Sequence, residues 1–532
     1  MNLKELIDLS DKALARNNFK EAKNLLEKAI KINSNIFELY HKLGLINNNL
    51  GNFEDSIEYF KKVTLINPNF SAAFCNLGIV YAKLNNKNLA IQNYLKAIEI
   101  DPKNFKAYYN LGNYYLNNND LNNAEKYYNL SISIIPNNIY PYNNLFQIYD
   151  RSNNLKKLDE ILQKAKNIFG INSIIEFFIG ISEYRKNNYQ KVIKIFEKIK
   201  LNKNDIPKNV LKANILAKCY DHMGMYHEAF KFFEISNKIL VDVYKKSVDK
   251  KKYTNTIEKR EKFFSRTNLK IWKNTNYKEN NLDPVFLIGF PRSGTTLLDT
   301  ILRTHSSIEV LEEKPIVDKL INEMEFIING DFSKLEKIDE HTIKKLRLLY
   351  FENRKKFLST QKNKVYIDKL PLNIIHIGEI NRIFPNSKYI LALRNPYDSV
   401  LSCFMQPFVP NNAMSNFSNL YDASKLYDQV MQLWSKYEEI LDLKVHTIKY
   451  EEIVNNFDLT IKDLLKFLEL DWNNELKEFY KTAEKRGIIN TPSYNQINKP
   501  LYNQSIGRWK NYEDKFSETK KILDKWVNRF NY

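Results

Sequence analysis

In the first half of the chain, small, apolar and helix-ending residues recur with a period of 34 residues. Five columns of residues keep this register: Gly44, Gly78 and Gly112; Pro68, Pro102 and Pro136; Ala22, Ser56, Ala90 and Ala124; Leu26, Phe60, Tyr94 and Tyr128; and Leu43, Leu77, Leu111 and Leu145. Self-similarity at a fixed period of this length is the signature of a repeat architecture, in which each unit packs only on its neighbours. The pattern therefore predicts a solenoid of stacked repeats.

A 34-residue period with these residue types resembles the tetratricopeptide repeat, in which each unit is a pair of antiparallel helices, A and B. In that repeat Gly and Ala lie where helices A and B approach closely, large apolar residues fill the space between units, and Pro ends helix B. The register weakens beyond residue 140, slips by three residues near 203–207, and gives about seven repeats across residues 2–235. The resemblance implies a right-handed superhelix whose concave face binds a peptide or an extended partner. A spacer or a dimerisation arm is the open alternative.

The pattern changes at residue 285, where a short apolar run, Val285–Gly289, predicts a buried strand. A tight loop, Phe290–Thr296, and an amphipathic helix follow, and this layout aims backbone N–H groups and a helix N-terminus at a phosphate. The spacing of Gly289 and Gly294 is that of a Walker A loop, but Thr295 stands where that loop requires lysine. We therefore expect a phosphate-binding loop that is poor evidence for an ATPase or a GTPase.

Composition bounds the chain without identifying its ligand. At 532 residues it is too long for one hydrophobic core, and about two to four domains are expected. With only 13 Gly and 15 Pro, the composition favours helix and excludes collagen-like chains and long flexible linkers. A net charge of +19 is compatible with an anionic ligand and equally with the lysine-rich composition of an AT-rich genome, so both interpretations stay open.

Much of the positive charge lies in one segment. Residues 245–278 hold 12 Lys and Arg against three acidic residues, a net charge of +9. We expect a solvated helical connector, with steering of anions toward the following domain as the alternative.

Three further patterns exclude broad classes of protein. Cys75, Cys219 and Cys403 are widely separated, which argues against a disulfide framework and a structural zinc site. The first residues lack the apolar core of a signal peptide, and no stretch approaches the ~18 uninterrupted apolar residues of a transmembrane helix. The expectation is a soluble cytoplasmic protein with no membrane span and no nucleic-acid partner.

Two motifs together resemble the donor-binding motifs of sulfotransferases that use 3′-phosphoadenosine 5′-phosphosulfate (PAPS). Phe290–Thr296 resembles their 5′-phosphosulfate loop. Tyr389–Phe404 resembles their 3′-phosphate motif, in which an Arg ends a strand and a Ser eight residues later lies on the next helix. Those residues are Arg394 and Ser402 here. Arginine offers a planar fork for a dianionic phosphate, and serine adds a neutral donor.

Tetratricopeptide repeats followed by such a domain resemble the TPR-sulfotransferase family, which is similar in its catalytic half to tyrosylprotein sulfotransferases. The resemblance implies an α solenoid at 1–235, a basic helical connector at 236–281 and, at 282–532, an α/β three-layer domain with a parallel sheet, the P-loop-like sulfotransferase fold. It also implies transfer of a sulfuryl group from PAPS to a hydroxyl of a peptide (tyrosine included), a glycan or a small molecule. Adenosine 3′,5′-bisphosphate (PAP) would be the product, and no metal would be needed.

The resemblance assigns residues to the donor site. It places the 5′-phosphosulfate on Arg292, Ser293, Gly294, Thr295 and Thr296, the 3′-phosphate on Arg394 and Ser402, and the nucleotide against Tyr450. Core packing is the alternative role for Tyr450. Residues 502–512 resemble the C-terminal segment that closes over the donor, in which Arg508 and Lys510 are further candidates for phosphate contacts.

The same resemblance assigns the catalytic residues. Glu313 corresponds to the general base for the acceptor hydroxyl, Lys369 to the lysine that stabilises the leaving group, and Ser505 to a serine on the sulfate side. A capping or salt-bridging role for Glu313 and a structural role for Lys369 are the alternatives. His305 and His376 do not fall at the position of a catalytic base and are not assigned.

Two other functions compete with this one. The first is a scaffold whose repeats recruit partners and whose second domain is a non-catalytic nucleotide-binding domain. The second is a P-loop kinase, which the missing Walker lysine and the lack of an obvious magnesium-binding Asp after an apolar strand both disfavour. The partners implied are a hydroxyl acceptor, a protein in the repeat groove and, as an open alternative, a second copy of the chain.

Overall fold

The computed structural model describes residues 1–265, 283–358, 364–485, 501 and 503–532. The chain divides into two compact units, Met1–Asn188 and Tyr189–Tyr532. The first unit is helical, and the second contains both helices and a parallel β-sheet. The expected fold class, an α solenoid followed by an α/β domain, is confirmed. No helix within the described ranges is long and apolar enough to cross a membrane.

Fourteen helices occupy the fully described stretch from residue 3 to residue 244, and A and B helices alternate along the sequence. They are α1 (Leu3–Ala15), α2 (Phe19–Ile32), α3 (Phe37–Leu50), α4 (Phe53–Ile66), α5 (Ser71–Lys83), α6 (Lys87–Ile100), α7 (Phe105–Asn117), α8 (Leu121–Ile134), α9 (Ile139–Arg151), α10 (Leu155–Phe169), α11 (Ser173–Arg185), α12 (Tyr189–Lys198), α13 (Ile206–His222) and α14 (Tyr226–Tyr244). They make seven A and B pairs in sequence order. However, α12, α13 and α14 belong to the second compact unit. The helix pairs therefore continue to residue 244, whereas the first compact unit ends at Asn188.

Each turn from an A helix to the following B helix contains one residue in the left-handed conformation. These residues are Asn17 (φ 57°), Gly51 (81°), Asn85 (56°), Asn119 (59°), Asn153 (52°), Asn187 (62°) and Gly224 (74°). Glycine and asparagine are the residues that adopt this conformation most readily. The spacing is 34 residues as far as Asn187, and Gly224 comes three residues late, which confirms the predicted slip. In several of these turns the next asparagine caps the B helix through its side-chain oxygen.

The glycine column marks the places where A and B helices touch. A Cβ on Gly78 would lie 2.6 Å from the ring of Tyr94. Likewise, a Cβ on Gly112 would lie 2.7 Å from the ring of Tyr128. Both rings are buried. The close helix approach predicted for this column is therefore confirmed, and the aromatic column fills the space that glycine leaves.

Part of the predicted basic connector forms helix α15 (Lys250–Phe264). The helix is not solvated on every face, because Ile257, Arg260 and Phe264 are buried. Arg260 forms an ion pair of 2.6 Å with the buried Glu379. The expectation of a solvated helix is therefore wrong for this face. The connector beyond residue 265 lies outside the described residues.

Within the described residues of the second unit, five parallel strands form one sheet: β1 (Val285–Gly289), β2 (Ile308–Glu312), β3 (Val365–Lys369), β4 (Lys388–Leu393) and β5 (Lys444–Lys449). Their order across the sheet is β2-β3-β1-β4-β5. Leu287 of β1 is in register with Lys369 of β3 on one side and with Ile390 of β4 on the other. The predicted buried strand, β1, is buried at all five positions, as expected for a central strand covered on both faces.

Helices connect and cover these strands: α16 (Thr295–Thr304), α17 (Ile316–Ile328), α18 (Glu340–Lys355), α19 (Ile377–Ile383), α20 (Pro396–Phe404), α21 (Leu420–Ile440), α22 (Tyr450–Asn455), α23 (Phe457–Phe467), α24 (Phe479–Lys485) and α25 (Lys520–Arg529). Short 3₁₀ helices span Phe332–Lys337, Pro371–His376, Met414–Ser418, Asn474–Glu478 and Arg508–Phe516. Leu287 belongs to a buried cluster that includes Leu298 of α16. The preceding residue of β1, Phe286, contacts the ring of Tyr350 in α18 instead, with 6.2 Å between the ring centroids. Because neighbouring strand residues face opposite sides, the sheet is the middle of three layers.

Replacing Gly112 by alanine is expected to destabilise the repeats, because the added methyl group would meet the Tyr128 ring at 2.7 Å. Overpacking of this kind costs about 1–3 kcal/mol of unfolding free energy. The matched control is Gly51→Asn, since asparagine already occupies this turn position in other repeats and a Cβ there meets nothing within 4 Å. Urea unfolding of the full chain, followed by helical circular dichroism, measures both variants. Equal losses of stability would contradict the close-packing explanation.

Candidate functional site

Every strand of the sheet leads at its carboxyl end into a residue predicted for the site. Arg292 follows β1, Glu313 follows β2, and Lys369 is the last residue of β3. Arg394 follows β4, and Tyr450 follows β5. Because the strands are parallel, these ends meet at one edge of the sheet, with β1 in the middle where the strand order reverses. Such an edge is the usual ligand site of an open α/β sheet.

Two glycines shape the loop that follows β1. Gly289 lies so close to the backbone carbonyl of Ala392 that a Cβ has no room. Gly294 has a left-handed φ of 92°, and a Cβ there would lie 2.9 Å from the Tyr450 ring. The loop therefore approaches β4 and the residue after β5 more closely than any other residue type would allow.

Ser293, Thr295 and Thr296 surround the beginning of α16. The hydroxyl of Ser293 is buried and has no hydrogen-bond partner within the described residues. Thr295 is buried and Thr296 half-buried, and the first turn of α16 has no side-chain cap. A helix N-terminus with uncapped N–H groups, next to a hydroxyl donor, is suited to binding an anion.

Arg292 links this loop to α20. Its Nε donates a hydrogen bond of 2.9 Å to the hydroxyl of Ser402, and its backbone carbonyl accepts one of 3.2 Å from Nη1 of Arg394. Arg292 has a φ of 69°, and strained backbone of this kind clusters at binding sites. The two residues predicted for the 3′-phosphate thus lie beside the arginine predicted for the phosphosulfate.

Arg394, Tyr450 and Ser505 form a second group in the site. The guanidinium of Arg394 lies over the Tyr450 ring, 5.0 Å from its centre, and its Nη2 donates to the backbone carbonyl of Ser505. Burial raises the pKa of Tyr450, and the neighbouring Arg394 and the Ser505 side chain oppose that shift. Nε of Arg394 is buried with no hydrogen-bond partner in the described part of the chain. Ser505, predicted for the sulfate side, is thus found beside the residues predicted for the 3′-phosphate and the nucleotide.

Glu313 and Lys369 form a close ion pair at the ends of β2 and β3. Nζ of Lys369 lies 2.5 Å from Oε1 of Glu313 and 3.8 Å from Oε1 of Glu312. The Lys369 side chain is fully buried, whereas that of Glu313 is 42% exposed. Glu313 has a left-handed φ of 48°, and its N–H donates to the Lys369 carbonyl at 2.8 Å. One carboxylate is therefore reachable from outside with a buried cation beside it. This geometry agrees with a base and cation pair and equally with a salt bridge that only joins the strands.

Sequence reasoning missed Asp398, which lies on α20 between Arg394 and Ser402. Its carboxylate accepts hydrogen bonds from the backbone N–H groups of Gly507 at 2.7 Å and Trp509 at 2.9 Å. Burial raises the pKa of this carboxyl group, while Arg394 and the two N–H groups oppose that shift. Asp398 lies inside the predicted phosphate motif, so it could have been considered as a site residue. Its role could not be inferred, because its partners lie 109 and 111 residues further along the chain.

Asp368, the neighbour of Lys369 in β3, is a buried acid on the opposite face of the strand. The hydroxyl of Tyr350 donates a hydrogen bond of 2.9 Å to its Oδ2. Burial raises the pKa of Asp368 from 3.8 to about 7, and the Tyr350 hydrogen bond offsets part of that effect. The folded protein therefore keeps this carboxyl group protonated to a higher pH than the unfolded chain does.

Comparison with known families finds matches to two kinds of family model in this chain. Residues 284–474 match the model of the sulfotransferase family. Residues 37–70, 71–104 and 93–126 each match a model of the tetratricopeptide repeat. The chain thus joins tetratricopeptide repeats to a domain of the sulfotransferase family, which confirms the family resemblance of its motifs.

Individual relatives are distant. An uncharacterised protein of Aquifex aeolicus is 25% identical over 378 residues, which cover 69% of this chain and 48% of that protein. Protein-tyrosine sulfotransferase 1 of Danio rerio is 22% identical over 236 residues, which cover 42% of this chain and 65% of that protein. The matched residues thus cover about half of the first relative and just under two thirds of the second. Among solved structures, MamA of Desulfovibrio magneticus RS-1 has 23% identity and a TM-score of 0.29, and covers 31% of this chain and 94% of its own.

Stability is expected to fall as the pH rises from about 4 to about 7, because the folded state binds more protons at Asp368 than the unfolded state does in this window. Asp368→Asn should remove this contribution, since the amide still accepts the Tyr350 hydrogen bond and never ionises. Urea midpoints at about pH 5 and about pH 7.5 measure the difference between the two proteins. Asp458→Asn, at an exposed ion pair with Lys477, is the matched control and should run parallel to the wild type. If Asp368→Asn also runs parallel, the buried acid is not responsible.

Proposed function

We propose that this protein transfers a sulfuryl group from PAPS to a hydroxyl acceptor. The match of residues 284–474 to the sulfotransferase family supports transferase chemistry of that general kind. The observation that carries the finer proposal is the division of the site about β1. The Glu313–Lys369 pair lies on one side, the Arg394 group on the other, and an anion-binding loop without a Walker lysine lies between them. A donor with anionic groups at two ends suits this division.

The residues around the loop fit a phosphosulfate and a separate phosphate. The loop offers an unused buried hydroxyl and an uncapped helix N-terminus, and Arg394 has a buried Nε without a partner in the described residues. We assign the 5′-phosphosulfate to Arg292 and to the amides of residues 293–296. We assign the 3′-phosphate to Arg394 and Ser402, and the nucleotide to the side of Tyr450.

The chain's own residues supply the base and the cation of the proposed reaction. PAPS provides the sulfuryl group and, as PAP, the leaving phosphate oxygen. Glu313 accepts the proton of the acceptor hydroxyl while the hydroxyl oxygen forms the new S–O bond and the S–O bond to the phosphate breaks. Negative charge grows on that phosphate oxygen, and we assign its stabilisation to the buried ammonium of Lys369. Their ion pair keeps base and cation within reach of each other.

For the acceptor, the first candidate in this proposal is a protein tyrosine. Its support is the similarity to proteins named protein-tyrosine sulfotransferase, at 21 to 23% identity. Hydroxyls of a glycan or a small molecule are the other classes, and the repeats are proposed to hold a protein partner. A catalytic role for Ser505 stays a prediction, and its contacts with Arg394 and Tyr450 favour the nucleotide side.

Arg394→Ala is expected to weaken PAP binding about 10- to 100-fold, the loss of one or two hydrogen bonds to a charged group. Isothermal titration of wild type and variant with PAP measures the change. The matched control is Arg354→Ala, because Arg354 also stacks on a tyrosine, Tyr366, near the opposite end of β3 from Lys369. Unchanged PAP affinity in Arg394→Ala would overturn the assignment. ATP that binds as tightly as PAP to both wild type and variant would overturn it as well.

Glu313→Gln is expected to keep PAP binding and to lower sulfate transfer by about 10²- to 10⁴-fold, because an amide cannot take the acceptor proton. Transfer is measured with labelled PAPS and a cell extract that supplies acceptors. Glu312→Gln is the control, since its carboxylate lies 3.8 Å rather than 2.5 Å from Nζ of Lys369 and should cost little. If wild-type protein binds PAP and transfers no sulfate to any acceptor, the scaffold function is favoured instead.

A further inference from the structure

Two helices of the repeat register, α13 and α14, cap the helix that carries Ser402. The last carbonyl groups of a helix have no partner within the helix. At the end of α20, the side chain of Asn237 donates to the carbonyl of Phe404 at 2.9 Å, and that of Asn214 donates to the carbonyl of Met405 at 3.0 Å. Both asparagines are buried. The repeat helices therefore satisfy backbone groups of a phosphate-site helix.

Aromatic packing joins the same elements. Phe230 of α14 stacks on Phe404 at the end of α20, with ring centroids 4.8 Å apart. Phe233, one turn further along α14, meets the same ring edge-on at 6.3 Å. Tyr226, at the start of α14, contacts Tyr512 of the C-terminal segment, residues 503–516, at 5.4 Å. Phe233, Phe404 and Tyr512 are buried, and these ring contacts join α14 both to α20 and to the C-terminal segment.

Asp221, near the end of α13, binds that C-terminal segment with both carboxylate oxygens. Oδ2 accepts a hydrogen bond of 2.6 Å from Nη2 of Arg508, and Oδ1 accepts one of 2.6 Å from the hydroxyl of Tyr512. The Asp221 side chain is only 10% exposed, so these charge-assisted contacts are largely shielded from water. The guanidinium of Arg508, predicted as a phosphate contact, is thus engaged by Asp221.

The C-terminal segment in turn contacts the phosphate site. The carbonyl of Ser505 accepts from Nη2 of Arg394. The N–H groups of Gly507 and Trp509, on either side of Arg508, both donate to Asp398 of α20. Arg508 therefore stands between two anchors that hold the segment against α20, three residues from the carbonyl that orients Arg394.

We propose that Asp221 is a positioning residue for the 3′-phosphate subsite, acting through Arg508 and Ser505 on the orientation of Arg394. The last helix pair of the repeat register is then a working part of the transferase unit. This inference rests on the proposed function, because it concerns the subsite assigned there to the 3′-phosphate. It adds a residue outside the sulfotransferase-family match, which begins at residue 284.

The test uses the full chain with Asp221→Asn, which keeps the size of the side chain and removes its charge. Its affinity for PAP should fall about tenfold, the effect of one charge-assisted contact. Its affinity for adenosine 5′-monophosphate, which lacks the 3′-phosphate, should change less than about twofold. With labelled PAPS, KM should rise while kcat stays close to the wild-type value, as expected for a lost binding contact that is the same in ground and transition states.

Two comparisons separate positioning from a general loss of structure. Asp150→Asn breaks a half-buried ion pair with Arg185 in the first unit and should leave both affinities unchanged. Arg508→Gln should reproduce the Asp221→Asn phenotype, and the double variant should be no weaker than either single variant. Equal loss of PAP and adenosine 5′-monophosphate binding, together with a lowered melting temperature, would overturn the positioning role.

The outcome for the wild type distinguishes the two levels of inference. Wild-type binding of PAP that is unchanged in Asp221→Asn overturns the role of Asp221 and leaves the proposed function intact. Wild-type protein that binds no PAP overturns the proposed function, and the role of Asp221 falls with it. A selective loss of PAP affinity in Asp221→Asn and in Arg508→Gln supports both.

Discussion

The parallel pairing of β1 with β3 on one side and β4 on the other determines the layout of the second unit. Parallel neighbours require a crossover after each strand, so every loop that leaves a carboxyl end opens on the same edge of the sheet. Since the strand order reverses at β1, these loops divide into two groups with the β1 loop between them. If β1 were an edge strand, Arg292 would lie beside only one of these two groups. Its central position gives it both the Glu313–Lys369 pair and Arg394 as neighbours.

Local patterns in the sequence predicted those features that short-range chemistry determines. The 34-residue glycine column follows from helix contact within one repeat. Arg394, directly after β4, could be found because residues 389–404 resemble the 3′-phosphate motif of the family. The left-handed asparagines are equally periodic, but asparagine is so frequent in this chain that the column does not stand out in the sequence alone. Asp398 and Asp221 were missed for another reason. Their partners lie 109 to 291 residues away, and no local spacing encodes such contacts.

The place where the repeats meet the transferase fold has a physical explanation. Each repeat buries its faces on its neighbours, so the last helix pair of a solenoid needs a polar outer face or another cover. Here α14 presents the rings of Tyr226, Phe230 and Phe233, and the cover comes from Phe404 and Tyr512 of the same compact unit. The repeat register therefore continues into the second unit because that unit supplies the missing neighbour of the last pair.

The asparagines in the turns between A and B helices have a consequence for the substitutions that the solenoid tolerates. Glycine codons are rich in G and C, whereas asparagine codons are rich in A and T. If mutation in a genome favours A and T, glycines are replaced by other residues. Where the glycine has a positive φ, most replacements destabilise the fold, because other residues avoid that conformation. At Asn17, Asn85, Asn119, Asn153 and Asn187 the backbone needs only a residue that accepts this conformation. The turns of the solenoid can thus accept asparagine in place of glycine. Gly78 and Gly112 cannot be replaced in the same way, because they lie against aromatic rings.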